Sequence, residues 1–121
     1  KIVKKVMNCE DCNSFIIDIN LVRNSEIKRI NRKFLNHNYN TDIITFPYST
    51  KQSQTVEGEL FVSLDEVMSN SLLFKDSFKN EFSRVIIHGC LHLSGYDDKT
   101  KRQKELIREK ENFYMMEKRK N

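Results

Sequence analysis

Apolar positions change period several times along the chain. In SFIIDINLV (14–22) they alternate, which predicts a strand with Phe15, Ile17, Ile19 and Leu21 on one buried face. From NSEIKRINRKFLN (24–36) the period becomes helical. Ile27, Ile30 and Phe34 form a stripe, Lys28, Arg29, Arg32 and Lys33 lie off it, and Asn24 or Ser25 can cap the start. TDIITFPY (41–48) reads as a short strand stopped by Pro47, and GELFVSL (58–64) as another with Leu60, Val62 and Leu64 on one side. Between them lies the polar, loop-like stretch 48–57.

Three helices follow. Asp65 is the expected cap of the first, which carries Val67, Met68, Leu72 and Leu73. Asp76 or Ser77 opens the second, where Phe78, Phe82, Val85, Ile86 and Cys90 recur at spacings of three and four and Gly95 suits the end. Thr100 caps the third, with Leu106, Ile107, Phe113 and Met116 as its apolar side. The order is strand, helix, strand, strand and three helices. It predicts an α+β fold, a small mixed β-sheet packed with several α-helices, in a single domain spanning 1–121.

Composition narrows the class. Charged residues are 31% of the 121 and hydrophobic ones 38%, as in a soluble globular chain. No apolar run has the length of a membrane span, and the basic start KIVKKVMNCEDC lacks the apolar core of a signal peptide. The formal net charge of +4 mildly favours a polyanionic partner such as RNA, although runs like KRQK (101–104) also fit a solvated helix face. Cys9 and Cys12 have no second ligand pair at zinc-site spacing and read as a turn; three thiols suit a reducing, cytoplasmic setting.

The chemistry is concentrated in HGCLHLSGYDD (88–98). His88 and His92 stand one helical turn apart, so both imidazoles can take neighbouring vertices of one zinc ion. Gly95 breaks the helix and lets the chain swing a carboxylate, Asp97 or Asp98, back toward them. Three protein ligands leave a fourth position for water. Gly89 stands where HExxH peptidases place their glutamate, which disfavours that class. No general base is placed by the sequence.

This motif resembles that of the YbeY family of bacterial endoribonucleases, HGxLHLxGYDH, whose three histidines bind zinc. His88, Gly89, Leu91, His92, Leu93, Gly95, Tyr96 and Asp97 match in place, and Asp98 stands where the last histidine would be. NRKFLNHNYNTDIITFPY (31–48) and GELFVSLDEV (58–67) look like further family segments. The resemblance implies a zinc site in a cleft, one ion per chain, held by His88, His92 and Asp98, the same three residues being catalytic, with Asp97 as the fallback. It also implies a role in maturing ribosomal RNA at the 3′ end of the small-subunit RNA, in ribosome quality control, with that RNA and the small subunit as partners. Lys and Arg on the sheet side are expected to neutralise the RNA backbone. Many members carry an arginine in the loop before the second strand; NHNYN (36–40) is shorter and has none, leaving His37 and Tyr39 as candidates for RNA contact. Arg84, one turn before His88, is expected near the cleft or in an ordinary salt bridge. Two other readings fit the same residues: a non-catalytic, zinc-stabilised RNA-binding assembly factor, and a zinc hydrolase of another substrate class.

Overall fold

The structure, a computed structural model, describes residues 2–35, 41–50 and 52–119. The loop 36–40, with His37 and Tyr39, lies outside the described residues. The elements are α1 (Ile2–Cys9), β1 (Phe15–Val22), α2 (Asn24–Leu35), β2 (Ile43–Pro47), β3 (Val56–Ser63), α3 (Leu64–Leu73), α4 (Phe78–Leu93) and α5 (Lys101–Arg119). The three strands form one sheet in the order β1-β3-β2. β1 runs parallel to β3, and β2 antiparallel. The fold is α+β with a mixed sheet, as expected; α1 is an addition. Its eight residues were too few for the period to show, yet Val6 and Met7 are fully buried.

Alternation along the strands sorts two faces. Ile43 and Leu60 face α4, where Val62, Val85, Ile87 and Leu91 are also buried. Ile44, Phe46 and Phe61 pack with Ile27 and Ile30 of α2 on the other face. α4 is the hub, touching α1, α3, α5, β2 and β3. It comes close to the sheet because two residues there lack side chains. A Cβ on Gly89 would stand 2.7 Å from Ile43 Cδ1 and 3.0 Å from Leu60 Cδ2, and one on Gly58 would collide with Leu93.

Four helix and strand faces differ from the sequence pattern. In β1, an edge strand, Phe15 and Ile17 pack on the main core but Ile19 and Leu21 are exposed. Phe34 of α2 is exposed and meets Phe46 edge-on at 5.8 Å. In α3, Val67 and Ser71 are buried while Met68, Leu72 and Leu73 face outward. In α5 the buried stripe is Ile107, Glu111, Tyr114 and Met115; Leu106, Phe113 and Met116 are exposed. A charged residue inside that stripe disguised it.

The caps partly follow expectation. Ser77 and Thr100 accept from the backbone N–H of Asn80 and Gln103. Ser63, however, caps α3 by accepting from Glu66 N–H. Asp65 reaches across instead, taking the Asn24 N–H at 2.9 Å and Arg23 Nη1 at 2.8 Å, and so closes the start of α2. Asp11 at φ 63 turns the chain after α1, with Cys12 N–H bonded to Met7 O.

Near the C-terminal end of α1, Glu10 ties three segments together. It accepts from Tyr96 Oη at 2.6 Å, from Lys110 Nζ at 3.2 Å, and from Tyr114 Oη through a very short bond. Burial alone would raise the Glu10 pKa, but these donors outweigh it and lower it. A carboxylate with a depressed folded pKa adds stability above its unfolded value, lost as pH falls through the folded one.

Two outcomes follow from these contacts. Gly89→Val should cost about 1–3 kcal/mol in urea unfolding, through overpacking against Ile43 and Leu60. Glu10→Gln should lower stability at neutral pH and flatten the acid limb of the stability–pH curve; an unchanged acid limb would show that Glu10 is not held as described.

Candidate metal centre

α4 is hydrophobic on its sheet side, so burying that face sets the rotation of the helix and turns His88 and His92 together toward its rim. Their Nε2 atoms stand 3.0 Å apart. α4 then ends in a Schellman motif. Gly95, at φ +113, donates to His92 O at 3.1 Å, and Tyr96 N–H donates to Leu91 O at 3.0 Å. This reversal carries Asp98 back over the helix end. Its Oδ2 lies 3.4 Å from His92 Nε2 and 3.7 Å from His88 Nε2. Asp97 serves the turn instead: its Oδ1 accepts from Asp98 N–H at 2.9 Å, and its Oδ2 lies 3.9 Å from Lys99 Nζ.

These separations suit one small cation. Ligand atoms about 2.0–2.1 Å from a tetrahedral ion stand about 3.3–3.4 Å from one another. The three donors, two imidazole nitrogens and a carboxylate oxygen, bracket that value at 3.0, 3.4 and 3.7 Å. Among the described residues they are the one His/Cys/Asp/Glu group that close.

His88 has a fixed orientation. Its Nδ1–H donates to Glu111 Oε2 at 2.6 Å, which leaves the Nε2 lone pair facing His92 and Asp98. Glu111 in turn accepts from Arg84 Nη1 at 3.2 Å. Arg84 thus takes the salt-bridge alternative. A carboxylate behind a ligating histidine is the usual support of such sites. Glu111 escaped the sequence reading because it lies 23 residues beyond His88, on another helix. The signal was there: positions 107, 111, 114 and 115 share one helical face. Burial opposes charge on His88, yet Glu111, with Asp42 and Asp98, overcomes it and raises the imidazole pKa.

The three side chains open onto a cleft of about 500 Å³ between α2 and β2, lined also by Asn31, Leu35, Asp42 and Thr45. Burial holds the Asp42 carboxyl above its ordinary range. The expected Lys and Arg are not in the lining of this cleft among the described residues; Arg84 and Arg108 line a second hollow next to it. Cys90 is sealed in the core, its thiol pushed up to about 12 by burial. No described helix is long and apolar enough to cross a membrane.

A family model described as Endoribonuclease YbeY matches residues 1–119. The chain belongs to the YbeY family. It is 44% identical over 115 residues to a Chlorobium phaeovibrioides protein named Endoribonuclease YbeY, covering 95% of this chain and 76% of that one. Relatives of the same name from Cytophaga hutchinsonii (44% identity, 79% of this chain, 68% of that one) and Karelsulcia muelleri (41%, 85% and 73%) are similar. A Thermotoga maritima protein solved in solution superimposes with a TM-score of 0.69 at 30% identity, covering 94% of this chain and 74% of that one. As a YbeY-family chain it is a metal-dependent endoribonuclease.

Removal of Glu111 separates support from ligation. Glu111→Gln should weaken zinc about 10–100-fold at pH 8. A zinc ion held by His88 would have to displace its proton, and the His88 pKa lies above the usual 6.5, so wild-type affinity should decline as pH falls through that raised value. The variant's decline should begin at lower pH. Competition titrations with a chromophoric chelator read both effects.

Proposed function

We propose that the chain cuts phosphodiester bonds of ribosomal RNA at the 3′ end of the small-subunit RNA, and serves ribosome quality control in the cytoplasm. In this reading residues 1–121 act as one metal-dependent hydrolase domain whose partners are that RNA and the small subunit. One zinc per chain is held by His88, His92 and Asp98.

The observation that carries the reading is the triangle of ligand atoms at the edge of an open cleft, with its first histidine braced from behind. When bound, zinc supplies Lewis acidity toward a phosphoryl oxygen and makes a water more acidic. The chain's own part is positional. Glu111 keeps the proton of His88 on Nδ1, so that Nε2 stays a free donor of its lone pair. Asp98 contributes one negative charge where the family motif carries a neutral imidazole, and would lower the net charge of a site holding a metal. The cleft walls, Asn31 and Thr45 among them, offer neutral hydrogen-bonding groups to a polar chain.

Openness favours a catalytic over a structural ion: the side chains of His88, His92 and Asp98 are 28%, 22% and 43% exposed, within reach of a substrate in the cleft.

Elemental analysis should find about one zinc per wild-type chain. Asp98→Ala should hold much less, and Asp97→Ala about as much as wild type. His92→Ala, purified free of nucleases, should cut RNA more than about 100-fold more slowly, a larger loss than removing a supporting partner. Cleavage surviving in a zinc-free His92→Ala protein would sink the reading.

A further inference from the structure

Beside the metal-site cleft lies a second hollow of about 530 Å³, between the C-terminal end of α3 and the sides of α4 and α5. It shares Asp42, Ile43 and His88 with the cleft, so the two hollows adjoin at these residues. Most of its charged walls are already engaged. Arg84 and Glu111 are paired with each other, and Asp42 accepts from Asn70 Nδ2 at 3.4 Å. Two groups are not. Glu81 is only 7% exposed, yet no hydrogen bond or ion pair reaches its carboxylate among the described residues. The exposed Arg108 has none either.

Among the described residues no side-chain oxygen is sealed away without a partner, so the Glu81 carboxylate opens into the hollow, where a donor can reach it. Here the unpartnered acceptor and an unpartnered guanidinium line the same cavity. Phe74, the C-cap of α3, adds an exposed aromatic ring at its edge.

We propose that this hollow is a base-reading subsite for a guanine of the RNA, with Glu81 accepting from N1–H and the N2 amino group and Arg108 donating to O6 and N7. The choice follows from donor arithmetic. A carboxylate accepts two bonds side by side, and guanine alone among the four bases offers two adjacent donor groups on its Watson–Crick edge. Adenine and cytosine offer one amino group, and uracil one N–H. Arginine, a five-donor fork, matches O6 and N7 of guanine. Phe74 gives the base a stacking face, the usual way a single-stranded nucleotide is held. Because the hollow adjoins His88, the guanine read there neighbours the phosphate at the metal centre. The inference therefore rests on the RNA-cleaving reading, but its test does not.

The test is binding of the four nucleoside 5′-monophosphates, and of inosine monophosphate, to the zinc-loaded full chain by NMR titration. GMP should bind about tenfold or more tightly than AMP, CMP or UMP, the discrimination of one good bidentate pair. Inosine monophosphate, lacking the N2 amino group, should fall between. Glu81→Gln should abolish the GMP preference while zinc content stays the same. Arg108→Ala, an exposed change that leaves packing alone, should weaken GMP most. Equal affinities for the four nucleotides, or a preference that survives both substitutions, would overturn the proposal. A GMP preference in a protein that fails to cut RNA would leave the subsite standing and remove the nuclease reading instead.

Discussion

The close approach of α4 to the sheet governs the rest of the molecule. Two histidines one turn apart share a direction only if their helix cannot roll. α4 is kept from rolling by burial along its length and by glycines at two places where it meets the strands. The contact at Gly89 lies between His88 and Cys90, inside the motif. The same residue that lets the helix touch Ile43 and Leu60 thus sets the height of both imidazoles above the sheet. Packing and ligand placement are a single constraint here.

Around that fixed helix, charge is distributed with economy. Glu111 is shared between Arg84 and His88, so one buried carboxylate neutralises a guanidinium and orients an imidazole. Glu10 likewise serves two tyrosines and a lysine. Both are acceptors surrounded by donors, the arrangement under which burial of a carboxylate is tolerated. Glu81 differs: it has no donor among the described residues, and its carboxylate opens into the hollow beside the candidate metal site.

Much of this was legible in the residues themselves. The shift from alternation to helical spacing after Val22 located α2, the His88/His92 spacing with Gly95 located the turn, and the likeness of the motif to the YbeY family located the chemistry. What stayed hidden has separate physical causes. Hydropathy patterns assume that a buried stripe is apolar. Glu111 lies in the buried face of α5 and shifted its apparent register, and Ser71 did the same in α3. Ile19 and Leu21 alternate as a core strand does, but alternation does not say whether a sheet edge is covered. Asp65 looked like a cap for its own helix and closes another instead, since tertiary partners are invisible to local spacing.

The knot at Glu10 has a bearing on when the enzyme becomes an enzyme. Glu10 precedes the motif, Tyr96 sits within it, and Lys110, Glu111 and Tyr114 follow it in α5. On a growing chain the histidine helix and its Schellman turn are made first, while His88 has no brace and Glu10 lacks two of its three donors. Only when α5 has been synthesised and docked do all these contacts close. Bracing of His88 is therefore a late event in the making of the chain, tied to the docking of α5 rather than to the forming of its own helix.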